Sequence, residues 1–192
     1  MNPFPFLAKW RRNEQGAAKL YGSIVAQARL PVFYQGLGVP DTLEGRFLVL
    51  SLHLFAVLHR LKAERPKSVG LTQDLADRFS ADTETVLREI GIGDLSIPKK
   101  VRALAASSAA LLHGYEEALR RGEKAIAAVV AEALPLEQEA SGAVGRQLAH
   151  YLMVSLDALQ AQDFAAMRVG QVRFPEIVSG AELEIVRNDK RG

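Results

Sequence analysis

The chain has 192 residues, of which 48% are apolar and 24% charged. That is the composition of one globular domain and excludes a disordered or collagen-like chain. It has no cysteine, so disulfides, iron–sulfur clusters, thiolate zinc sites and cysteine nucleophiles are excluded, and a net charge of +2 points to no partner by itself.

Phe4, Phe6 and Leu7 are preceded by Pro3 and interrupted by Pro5, and they come before Lys9, Arg11 and Arg12. A secretory signal has the opposite order, with basic residues before a continuous apolar run. Glu14 and the early start of the fold argue against a mitochondrial presequence. Residues 1–13 read as an N-terminal arm whose aromatics, including Trp10 beside Arg11 and Arg12, either lie on a membrane surface or, as its shortness favours, pack onto the domain. A first helix is predicted from Glu14 to Ala28, stopped by Pro31. Leu30 to Val39 reads as a loop carrying Phe33, Tyr34, Gly36 and Gly38.

A second helix is predicted from Pro40-Asp41 to Arg65, with Asp41 as N-cap and Glu44 completing a capping box. It is apolar almost all round, so neighbours should bury it on several sides. Its longest apolar stretch, Phe47–Leu58, is broken by Ser51 and His53 and is too short for a membrane span, which needs about 20 residues. Further helices are predicted at 71–90, 97–119, 123–133 and 141–159, from apolar spacing and from bounding glycines and prolines. Beyond Gln160 the pattern becomes irregular, with two short β-like stretches that suggest a small hairpin. The expected architecture is all-α: one bundle-like domain of about six helices over 14–160 and an irregular tail over 161–192.

No catalytic constellation is visible. The four histidines have no metal-ligand spacing, and there is no nucleophile elbow, phosphate loop or complete dinucleotide fingerprint. Three other features stand out. Arg46, His53 and Arg60 are spaced by seven and form one cationic line on the apolar second helix. Either that line faces water, or Arg46 is partly buried against a carboxylate. We expect the pair, with Asp82 or Glu89 of the next helix as partner. The turn around Gly91-Ile92-Gly93-Asp94-Leu95 makes a tight corner that either only positions two helices or also offers Ile92 and Leu95 to a partner. Lys99, Lys100 and Arg102 lie at a helix N-terminus, which favours anions, and no acid follows before Tyr115. They form either a solvated face or a docking patch for phosphate-rich RNA or anionic lipid.

Several motifs occur together in order. Ile24-Val25-Ala26-Gln27-Ala28-Arg29, Phe33-Tyr34, Gly38-Val39-Pro40-Asp41-Thr42-Leu43, Gly45-Arg46-Phe47 and Leu52-His53 are followed by the long run from Leu87 to Lys100. This set, over Tyr21 to Leu119, resembles the ubiquinol–cytochrome c chaperone family. Ile90 stands where the family usually has methionine, and Ala110-Leu111 where a glycine–arginine pair often precedes the tyrosine matching Tyr115.

The resemblance implies an all-helical, non-enzymatic assembly factor with no cofactor and no small-molecule substrate. It implies newly made cytochrome b of respiratory complex III as partner, contact with the ribosome near the tunnel exit, and a groove of aliphatic or aromatic side chains. The expected partner-binding residues are Phe33, Tyr34, Arg46, His53, Ile92, Leu95, Lys99, Lys100 and Arg102. The expected setting is the bacterial cytoplasm, peripheral to the inner membrane. The competing functions are a ribosome- or RNA-binding helical module without chaperone activity and an enzyme whose site the motifs do not reveal.

Overall fold

The computed structural model describes residues 5–89, 97–178 and 184–186. Helix α1 spans Pro5–Ala28 and so begins well before Glu14. Proline is tolerated in the first turn of a helix, where its missing N–H is not needed, so Pro5 is compatible with α1. After α1 the expected loop closes into one π-helical turn, Val32–Gly36, with Leu37 N–H donating to the Val32 carbonyl at 2.9 Å. Gly38 then takes φ +77°, a conformation costly for any residue with a side chain, and turns the chain towards the next helix.

Helix α2 spans Leu43–Lys62. Its cap is Thr42, not Asp41: the Thr42 side chain accepts the Gly45 N–H at 3.2 Å. The one-residue shift frees Asp41 to pair with Arg46. The helix also stops short of Arg65, and the Ser68 hydroxyl donates to the Leu61 carbonyl at 2.6 Å beyond its end. As its composition requires, α2 is the buried centre. Leu48, Val49, Leu52, Leu54, Phe55, Val57 and Leu61 are all buried. Each such side chain contributes about 1.5–3 kcal/mol of transfer free energy.

Helices α1, α4 (Ile97–Leu119) and α6 (Gln138–Gln160) pack on α2. Helix α3 (Val69–Glu89) packs on α1 and on α4, while α5 (Glu123–Ala133) pairs extensively with α6, which lies along α2. The architecture is all-α. The tail contains a short helix that the sequence pattern did not reveal, α7 (Phe164–Arg168), capped by Asp163, whose carboxylate accepts the Ala165 N–H. It docks on α1 where Gly16 faces the Arg168 carbonyl so closely that no Cβ fits between them. The suspected hairpin is present as β1 (Glu176–Val178) and β2 (Glu184–Val186), antiparallel with Ile177 opposite Ile185.

Candidate functional site

A cleft of about 180 Å³ opens where α1, the π-turn, α2 and α3 meet. Helical spacing supplies its walls. Val25 and Ala28 share one face of α1, and Arg29 follows directly after its last residue. Leu43, Phe47 and Leu50 lie at i, i+4 and i+7 on α2, and Thr83 and Val86 lie one turn apart on α3. The Phe47 ring is backed by Phe79 at 5.8 Å between centroids. Leu43 remains 37% exposed at the mouth, so part of the apolar lining faces solvent.

The polar rim is arranged around Tyr34. Its hydroxyl donates to the Ala28 carbonyl at 2.7 Å, which fixes the ring at the end of α1. The Arg46 guanidinium lies over that ring, 5.2 Å from its centre. Arg46 Nε also donates to Asp41 Oδ1 at 2.5 Å, and this pair holds the guanidinium still more firmly in its charged form. Across the cleft, Asp82 accepts the Tyr21 hydroxyl at 2.8 Å. Burial and this carboxylate push the Tyr21 hydroxyl upward from its ordinary value, so it stays a donor.

The expected pairing of Arg46 with an acid of α3 is therefore not what forms. Its partner is Asp41, five residues back, and both side chains are more than half exposed. An ion pair in such a position contributes little, because water screens it and two mobile side chains must be held. Arg46→Met is expected to change unfolding free energy by less than about 1 kcal/mol. A larger loss in urea denaturation would contradict the exposed geometry.

The line of three cations does not face water either. Arg46 alone is exposed. His53 is fully buried, and Arg60 is buried against the end of α6. His53 Nδ1 donates to the Val49 carbonyl at 2.7 Å, which leaves Nε2 to accept the Tyr151 hydroxyl at 3.0 Å. Tyr151 in turn accepts Gln27 Nε2 at 3.1 Å. The Phe33 ring meets both His53 and Tyr151 at 5.2 Å, and Phe174 from the tail meets His53 at 5.0 Å. Burial lowers the His53 pKa to about 4, so the imidazole is neutral. Phe33 and His53, expected on a partner surface, thus belong to a core knot joining α1, the π-turn, α2, α6 and the tail. Neither side chain reaches solvent.

Of the expected partner residues, the cleft brings together Tyr34 and Arg46. Ile92 and Leu95 lie outside the described residues. Lys99, Lys100 and Arg102 fall in the first two turns of α4, whose first turn carries no acid. Val25, Arg29, Phe47, Leu50 and Val86 also line the cleft and are not among the expected partner residues. The signal was present as helical spacing on three separate segments, but nothing in one segment says which other faces it.

A family model described as Ubiquinol-cytochrome C chaperone matches residues 35–174. The chain belongs to the ubiquinol–cytochrome c chaperone family. The match runs from the end of the π-turn to Phe174 and so takes in α2 to α7 and the tail segment that closes the core knot. The crystal structure of the Cbp3 homolog from Brucella abortus superposes with a TM-score of 0.78 at 34% identity, covering 92% of this chain and 97% of that one.

Two curated proteins are also similar. The ubiquinol-cytochrome-c reductase complex assembly factor 1 of Xenopus laevis is 25% identical over 122 residues. That of Mus musculus is 24% identical over 123 residues. These alignments cover 64% of this chain in each case, and 60% and 41% of the two relatives, so the chain spans less than two thirds of the curated relatives it matches. Among the described residues, no helix is long and apolar enough to cross a membrane.

Proposed function

We propose that this protein is a non-enzymatic assembly chaperone for ubiquinol–cytochrome c reductase, with newly made cytochrome b as its client. The observation that carries the reading is the family match over residues 35–174. Its vertebrate relatives are named as assembly factors of that complex. The half-open apolar cleft supports it physically. A chaperone for a membrane protein has to shield apolar side chains until insertion, and exposed apolar lining in a concave site is what such a client meets. Tyr34 and Arg46 are the partner-binding residues at that site. The cations at the start of α4 support a second contact, with ribosomal RNA, which would place the chaperone on the cytoplasmic side of the inner membrane where the client emerges.

Deletion of the gene in its own host tests this reading. Membranes of the deletion strain should lose the b-haem absorbance of the complex while the cytochrome b transcript is unchanged, and the wild-type gene should restore it. Normal b-haem absorbance together with altered ribosome profiles would overturn the chaperone reading in favour of a ribosome-binding module.

A further inference from the structure

The charges around the cleft are not all satisfied. Arg46 is engaged by Asp41, and Asp82 is engaged by the Tyr21 hydroxyl. Arg29, which lines the same cleft just after the end of α1, is exposed, and among the described residues no carboxylate reaches it. Its positive charge is nevertheless felt at the rim, where it favours the ionised forms of both Tyr21 and Tyr34. The cavity beneath is apolar and, at about 180 Å³, smaller than the roughly 300–1,000 Å³ of sites built for drug-sized small molecules. It has room for about one large side chain rather than a cofactor. A guanidinium is well suited to hold a carboxylate through paired N–H donors, and more so next to a site from which water is displaced.

We infer that the cleft docks a polypeptide segment carrying one bulky apolar side chain, which fills the cavity, and an acidic residue within about one helical turn, which pairs with Arg29. This names the kind of client segment recognised and rests on the cleft being the client site. Charge complementarity then selects among apolar segments: an acidic neighbour is attracted and a basic one repelled, by a term that acts on specificity and salt dependence.

The test uses the full chain and labelled peptides in fluorescence anisotropy. One probe is a helical peptide with a single Phe and a Glu four residues away, and its control has Lys in place of that Glu. Wild type should bind the Glu peptide at least tenfold more tightly than the Lys peptide. Arg29→Glu, at an exposed position, should reverse the preference while the circular dichroism spectrum is unchanged. Thr83→Trp, which fills the cavity, should weaken both peptides. Equal affinity for the two peptides, or a preference that survives Arg29→Glu, overturns the inference, as does failure of wild type to bind either. Competition by laurate with no peptide binding would assign the cleft to a small amphiphile and also overturn it. Peptides from cytochrome b and from an unrelated membrane protein separate the two claims. Arg29-dependent binding of acidic apolar peptides from the unrelated protein, with none from cytochrome b, would sustain the docking rule and remove cytochrome b as the client.

Discussion

Arg60→Met should lower the unfolding free energy by about 3 kcal/mol, and the melting temperature by roughly 6–12 °C for a domain of this size. The Arg60 side chain is only 7% exposed, and its fork serves three groups. Nε donates to the Leu159 carbonyl at 3.1 Å, one terminal nitrogen to the Gln162 carbonyl at 3.0 Å, and the other to Glu64 at 2.9 Å. The Leu159 carbonyl lies in the last turn of α6 and the Gln162 carbonyl just beyond it, where the negative end of the helix dipole meets a buried cation favourably.

Methionine keeps the apolar stem but leaves both carbonyls without this donor and the Glu64 carboxylate without this cation. Loss of the carbonyl contact also loosens Gln162, whose side chain holds Arg173 through both its amide oxygen and its amide nitrogen. The tail should therefore show faster amide exchange at Arg173. Arg60→Lys should recover only part of the loss, because an ammonium does not reproduce the planar fork. An unchanged melting temperature for Arg60→Met would show that α6 does not depend on this contact.

The second large effect is with pH. His53 is fully buried and its pKa is lowered to about 4, against about 6.5 in the unfolded chain. The unfolded state therefore binds a proton that the folded state refuses. Stability from this group is complete above about pH 6.5 and is lost as pH falls towards 4, amounting to roughly 3 kcal/mol over that window. Urea denaturation at a series of pH values should show this loss. In His53→Gln the slope between pH 6.5 and 4 should flatten, although the variant is less stable at pH 7 because the ring contacts with Phe33 and Phe174 are gone. Parallel curves for the two proteins would mean that another group controls acid stability. Because the His53 imidazole bonds Tyr151 of α6 and touches Phe174 of the tail, its protonation should open the packing between α2, α6 and the tail first.

How far the sequence predicted these arrangements depended on whether the cause was local. Helix α5 was legible at both ends, because Gly122 and Pro135 bracket an apolar run. The cap of α2 was misplaced by one residue: Asp41 and Thr42 are both good caps, and the choice was decided by Arg46 drawing Asp41 away. The short α7 was hidden because five residues carry too little periodicity, and it holds through docking on Gly16 of α1. Spacing by seven correctly put Arg46, His53 and Arg60 on one side of α2. It did not say that α6 and the tail cover the middle and end of that side while only its beginning is open. The cleft was out of reach for the same reason, since three helices and a π-turn from separate stretches must meet before it exists. Arg46 was visible as a cation on an apolar helix, whereas Tyr34 was found through the family motif.

The central claim is that this cleft holds the client. Its most direct test is site-specific photocrosslinking in living cells with a benzophenone amino acid at Leu43, at the mouth of the cleft, and at Glu132, an exposed position of α5 outside the cleft. Pulse labelling should give an adduct between newly made cytochrome b and the Leu43 position that disappears in the chase, with none from Glu132. Cytochrome b adducts from Glu132 and none from Leu43 would contradict the account and place the client on another face of the bundle.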